Sequence, residues 1–233
     1  KLKNVGYFHM GFAKDFHTYT QPRFNAEYRI TDDEGRKLSD EDILLGFDKK
    51  IKKFIGRYTE ERGIYFENSN SEEAVELFSQ ISEHTEERQH ILLRDLNYFK
   101  RIRNSFKDDN VYFFAKMNLD KFIEFCDKQI KTQVNTDQAV NDIEAAREIK
   151  EKKGNIVTLA ALLIIKSKDT AYLMYSGFDD NIFSRFRTTN QLRYEAMKYF
   201  RDKGCNIFSF MGVDGNLSDS LSDFKLKFNP YVV

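Results

Sequence analysis

The chain has no tryptophan, two prolines and two cysteines in 233 residues, and its 37 basic residues are matched by 37 acidic ones. Each scarcity excludes something. Cys126 and Cys205 are too few for a disulfide scaffold and sit in helix and strand patterns without metal or redox spacing, which points to a reduced, cytoplasmic setting. Few prolines mean few enforced breaks, which suits a helix-rich globular chain. Balanced charge rules out a polycation, so any contact with nucleic acid has to come from a local patch. No apolar run approaches the roughly 20 residues of a membrane span, and no signal peptide is visible. His9, His17, His84 and His90 lack zinc spacing, and no metal is expected. No Ser-His-Asp or Cys-His set is spaced to indicate a covalent nucleophile.

Phe and Tyr are abundant instead. Aromatics make up 15% of the chain, so these two residue types must build most of the core. The chain opens at Lys1-Leu2-Lys3-Asn4 without an initiator methionine and is read as a fragment. Val5 to Phe12 and Ala26 to Ile30 look like strands, with a turn at Thr31-Asp32-Asp33-Glu34-Gly35. Ser39 with Asp42 three residues on is close to a capping box. It opens a predicted helix with Leu44, Phe47, Ile51, Phe54 and Tyr58 on one face and Gly63 as its stop. Lys49, Lys50, Lys52, Lys53 and Arg57 fall on the other face, either an ordinary solvated surface or a phosphate-binding patch. Ile64-Tyr65-Phe66 reads as a strand. Asn70 reads as the cap of a helix with Ala74, Leu77, Phe78 and Ile81 buried, and Val111 to Met117 as a further strand.

Two helical patterns follow, Leu119 to Thr132 and Asp137 to Lys153, broken at Asn135-Thr136. They read as an antiparallel helical hairpin inserted between two strands of one sheet, the second helix burying Val140, Ile143 and Ile149. Ile156 to Ile165 is a nearly unbroken apolar run, interrupted by Lys166-Ser167-Lys168-Asp169 and resumed from Thr170 to Tyr175, the pattern of a buried β-hairpin. A helix from Asn190 carries Leu192, Ala196, Tyr199 and Phe200 on one face and stops at Gly204, and Cys205 to Met211 returns as a strand. This layout resembles the core of a GNAT acyltransferase. The expected fold is therefore α/β and GNAT-like: a mixed sheet flanked by helices, with the hairpin inserted at about 119–153.

A more specific resemblance rests on motifs in a fixed order. They are Gly46-Phe47-Asp48-Lys49-Lys50, Arg62-Gly63-Ile64, Arg94-Asp95-Leu96-Asn97-Tyr98-Phe99, the hairpin end Tyr175-Ser176-Gly177, the run Asn190 to Lys198, and Phe224-Lys225-Leu226-Lys227-Phe228. Over roughly residues 20 to 231 the chain resembles the Fem aminoacyltransferases, which build peptidoglycan cross-bridges from aminoacyl-tRNA. The resemblance implies two GNAT-like halves, with residues 1–49 a remnant of the first and 50–233 the second. It implies aminoacyl-tRNA as co-substrate and a UDP-linked or lipid-linked muramyl pentapeptide as acceptor. The setting would be cytoplasmic, with peripheral contact at the inner membrane face when the acceptor is lipid-linked.

Carried over by position, the resemblance implies substrate binding at Arg94, Tyr98, Tyr175 and Arg193, and catalytic roles for Phe224 and Lys225. Lys225 is the candidate for facing the oxyanion that forms when an amine attacks an ester. The cations Lys49, Lys50, Lys52, Lys53 and Arg57 become a candidate tRNA phosphate patch. No general base stands out: Asp214 and Asp223 are near, and Asp223 reads equally as an ion-pair partner of Lys225. No cofactor is expected. Thr188-Thr189-Asn190-Gln191-Leu192 has no glycine, against an acetyl-CoA pyrophosphate cradle. The alternative is a non-catalytic module that binds RNA or protein on a vestigial fold.

Overall fold

The computed structural model describes residues 24–57, 60–89 and 94–233. The expected strand at Val5 to Phe12, the contribution of Tyr58, and His9, His17 and His90 lie outside them, as does the side chain of His84. The described chain is a mixed α/β structure built on one seven-stranded sheet. Its strands are β1 (Phe24–Arg29), β2 (Ile64–Ser69), β3 (Asn110–Asn118), β4 (Ile156–Ser167), β5 (Thr170–Phe178), β6 (Ile207–Val213) and β7 (Tyr231–Val232), in the order β2-β3-β4-β5-β6-β1-β7. All neighbours are antiparallel except β5 and β6.

The helices divide between the two faces. Along β3, Val111, Phe113, Ala115 and Met117 point into the larger core, while Tyr112 and Phe114 point into a smaller one. The larger core is closed by α1 (Asp40–Gly46), α2 (Lys49–Lys52), α5 (Leu119–Lys131), α6 (Thr136–Lys153) and α7 (Thr188–Asp202). The smaller is closed by α3 (Glu72–Gln89) and α4 (Leu96–Phe106), through Phe78 and Phe99. Burial on both faces explains why β4 is an almost unbroken apolar run.

Three expectations change, and one element is added. The single helix after Ser39 is two, because the chain is extended at Phe47 and Asp48 and Asp48 caps α2, its Oδ1 accepting from Lys50 N at 2.6 Å. The cap of α3 is Ser71, whose Oγ accepts from Ala74 N at 3.2 Å. Asn70 instead donates its side-chain amide to Asp108. Helix α6 packs on Ala139, Ile143 and Ala146, while Val140 is exposed: small side chains let it approach its neighbours closely. Finally, Phe224-Lys225 lies in a further helix, α8 (Ser220–Leu226).

Candidate active site where two strands part

Strands β5 and β6 pair only from Thr170 with Ile207 to Tyr172 with Ser209. Beyond that, β5 continues against β4 to Phe178 and β6 continues against β1 to Val213. The two share no further ladder, which leaves a gap in the sheet. A bulge in β6 accompanies it: Met211 has φ +66°, its N–H donates to Ser209 Oγ at 3.2 Å, and pairing with β1 shifts between Asn25 and Glu27.

Helix α8 returns to this gap. Asp219 caps it by accepting from the amides of Leu221 and Ser222, each at 2.9 Å. Ser222 is fully buried and its Oγ accepts from Asp214 N at 3.1 Å. Phe228 is fully buried against Phe47, Phe210 and Phe224. So anchored, Lys225 donates from Nζ to the Gly212 carbonyl of β6 at 2.6 Å. Burial first, then the charge of Arg193, pushes its amine down to about 8, with Asp219 opposing.

Asp223 is not the partner of Lys225. In a helix it shares a face with residue 227, and its carboxylate takes the Lys227 ammonium. Asp214 is occupied in a turn, accepting from Asn216 N at 3.1 Å. Asp219, unremarked in the sequence, is the acid that acts on Lys225. The spacing Asp219-x-x-Ser222 was its only signal, as a helix start.

Arg193 approaches from α7, only 6% exposed. Its Nη1 donates to the Thr189 carbonyl at 3.0 Å and its Nη2 to Ser176 Oγ at 3.3 Å, and the guanidinium carbon stands 4.8 Å from the centre of the Phe224 ring. Its Nε has no partner among the described residues. Burial pushes this guanidinium down to about 10.

The remaining candidates gather on the other face of β5. Tyr175 and Ser176 are consecutive, so their side chains leave the strand in opposite directions. The Tyr175 and Tyr98 hydroxyls meet at 3.1 Å, Arg94 stands 5.3 Å from the Tyr98 ring centre, and Phe99 packs on Tyr175. Burial, then the contact with Tyr98, pushes the Tyr175 phenol up to about 12, opposed by Arg94. Asp95 caps α4 by accepting from Tyr98 N at 2.8 Å, which sets the Tyr98 ring in place. Thus Arg94, Tyr98 and Tyr175 form one cluster, and Arg193, Phe224 and Lys225 another, back to back across β5.

The cations Lys49, Lys50, Lys52, Lys53 and Arg57 do not share one helical face, because α2 stops at Lys52. Lys49, Lys50, Lys53 and Arg57 are exposed, whereas Lys52 donates to the Leu45 carbonyl. The segment lies beside the start of α7: Gly56 N–H donates to Gln191 Oε1 at 2.7 Å and Arg187 covers the Phe54 ring. A cavity of about 510 Å³ opens at the far end of the sheet, lined by Asn68, Asp108, Lys166, Tyr199 and Lys203 among others. It includes no member of either cluster, and the perturbed Lys225 and Arg193, both set against Phe224 beside the gap, favour the gap as the site.

A model of the FemAB family matches residues 1–142 and 124–233. The lipid II:glycine glycyltransferase of Staphylococcus haemolyticus (strain JCSC1435) is 26% identical over 245 residues, covering 92% of this chain and 56% of that protein. The protein of the same name from Staphylococcus epidermidis (strain ATCC 35984) is 23% identical over 242 residues with the same coverage. The chain therefore spans about half the length of the curated relatives it matches. The crystal structure of FemX has the same fold, with a TM-score of 0.75 and 22% identity over 99% of this chain and 64% of that one.

Proposed function

Since the chain belongs to the FemAB family, we propose that it acts in an aminoacyltransferase that moves an amino acid from aminoacyl-tRNA onto the peptide stem of a peptidoglycan precursor. The relatives, named lipid II:glycine glycyltransferases, favour the lipid-linked precursor as acceptor and glycine as cargo. The observation that carries the reading is Lys225, pinned to the β6 carbonyl of Gly212 at the open edge between two parting strands. An amine set at a gap in a sheet is suited to a reaction that moves a proton and develops negative charge at one carbon.

In that reaction the acceptor amine forms a C–N bond to the ester carbonyl carbon. The C–O bond to the ribose then breaks, and the proton lost by nitrogen ends on the ribose oxygen. Lys225 faces the transient oxyanion, and Phe224 shapes the wall beside it. Arg94, Tyr98 and Tyr175 serve the acceptor, an exposed guanidinium taking phosphate and two phenols taking sugar or peptide. Arg193 belongs with Lys225 on the opposite face of β5, beneath Phe224. The exposed cations Lys49, Lys50, Lys53 and Arg57, beside the start of α7, are suited to the phosphates of the RNA donor; Lys52 adds its charge nearby.

We read the fold as GNAT-like, with α5 and α6 as its inserted helical arm. Residues 1–49 are the tail of a first half that lends β1 to the sheet of the second, 50–233. Among the described residues no helix is long and apolar enough to cross a membrane. A lipid-linked acceptor would be met by peripheral contact at the inner face.

The test offers the full-length protein tRNA charged with labelled glycine, alanine or serine, together with lipid-linked or nucleotide-linked muramyl pentapeptide. Label moves to the acceptor, and Lys225→Ala abolishes the movement. No transfer to either acceptor from any charged tRNA would overturn the proposal. Full activity in Lys225→Ala would remove Lys225 from it.

A further inference from the structure

A buried guanidinium usually has a carboxylate for company, because an uncompensated charge in a low-dielectric interior is costly. Arg193 has none among the described residues. Its contacts are a carbonyl, a hydroxyl and an aromatic face: Thr189, Ser176 and Phe224. Its field is therefore not cancelled locally and falls on a titratable neighbour across the Phe224 ring. That neighbour is Lys225, which follows Phe224 in α8 and is itself held on a neutral acceptor, the Gly212 carbonyl.

We propose that Arg193 is a positioning residue for the transfer reaction, stacking beneath Phe224 to fix the Phe224-Lys225 step of α8 against β5 and using its uncompensated charge to keep the Lys225 amine ready to accept a proton. This role rests on the transferase reading above, whereas the coupling between the two cations exists without substrate. Among the described residues, the charges that act on Lys225 are those of Arg193 and Asp219. Helix α7 presents Arg193, itself held on the Ser176 hydroxyl of β5, β6 presents the Gly212 carbonyl, and the head of α8 presents Asp219. Asp223 is taken up by Lys227. One cation thus works against one carboxylate, and burial tips the balance toward the uncharged amine.

The chemical use follows. An ordinary lysine, with a pKa of about 10.4, is almost wholly protonated near neutrality and cannot take up a proton. With a pKa of about 8, Lys225 is uncharged in about one molecule in ten at pH 7, against fewer than about one in a thousand for an ordinary lysine. It is the uncharged form that reacts. It takes the proton that the attacking amine sheds as the C–N bond forms, and returns it to the ribose oxygen as the C–O bond breaks. It is therefore an ammonium during the interval in which the oxyanion exists, so one side chain supplies both the proton acceptor and the positive charge.

The experiment uses the full-length protein labelled with lysine carrying carbon-13 at Cε, the Lys225 signal being identified by its loss in Lys225→Arg. Its titration is followed by NMR in the unaltered protein, Arg193→Met and Arg193→Lys, and the pH profile of transfer is measured on the same samples. The expected midpoint is about 8 in the unaltered protein. In Arg193→Met it rises by about one unit or more, a tenfold tighter hold on the proton. The acid limb of the transfer profile rises with it, and Arg193→Lys restores both. Should Arg193→Met fail to fold, Arg193→Gln, which keeps a donor for the Thr189 carbonyl, replaces it. An unchanged Lys225 midpoint, or an acid limb that stays in place, overturns the role and leaves Arg193 as packing. Coupling without transfer in any protein overturns it differently, by removing the transferase reading itself.

Discussion

Below about pH 8 the Lys225 side chain carries a charge that the folded protein tolerates less well than the unfolded chain does. Its folded pKa is about 8 and its ordinary value 10.5. Below pH 8 both states hold the proton and the full cost is present. Between these values the folded state releases its proton first, so the cost shrinks as pH rises, and above 10.5 it is gone. The cost is on the order of 2–3 kcal/mol after a discount for partial exposure. Lys225→Met should therefore gain thermal stability over the unaltered protein most at pH 6–7 and lose that advantage by about pH 10.5. Melting curves across this range check it, and a difference independent of pH would refute it. Phe224 and Lys225 were legible only through their family motif, since nothing in their spacing sets them apart from an ordinary amphipathic end. The roles of Asp219 and Ser176 were not legible: Asp219 shows only a helix-start spacing, and Ser176, though inside the hairpin motif, is met by Arg193 from α7, a contact between distant segments that leaves no local mark.

The break between α1 and α2 belongs to the scale of elements. Leu44, Phe47, Ile51 and Phe54 keep a helical period across it, so periodicity alone predicts one helix. The core resolves the matter differently: Phe47 turns inward onto Tyr28, Tyr194 and Phe228, and Asp48 N–H donates to the Lys227 carbonyl at 2.9 Å. Asp48 then restarts the helix as its cap. Asp48→Ala should cost about 1 kcal/mol, the usual worth of a lost cap. It would appear as a lower denaturation midpoint in urea with an unchanged slope, and an unaltered midpoint would show the cap to be dispensable. Elements with an unbroken period and clear punctuation were legible close to their ends. The helix pattern at Leu119 to Thr132 is α5 (Leu119–Lys131), and the apolar hairpin is β4 with β5. Seven-residue α8 was not, because so short a helix has too few positions to display a period.

Across the whole molecule, the least legible feature was the place of β1. Pairing between strands far apart in sequence has no local signature, and nothing in Phe24–Arg29 announces that it lies between β6 and β7. Yet Ala26 and Ile30 are wholly buried and Tyr28 donates to the Ile43 carbonyl, so β1 is core. Deleting residues 24–30 should abolish cooperative thermal unfolding followed by circular dichroism, and a cooperative, native-like melt of the deletion would contradict this. The same arrangement governs the order of assembly on the ribosome. Strands β3, β4 and β5 and the helices between them are neighbours in sequence and can collapse as they emerge. By contrast β1, among the first described segments to be made, waits about 180 residues for β6 and longer for β7, a loop closure of the slowest kind. The Thr170–Tyr172 edge of β5 stays open until β6 is made, so the nascent protein depends on shielding of that edge until synthesis has passed residue 213.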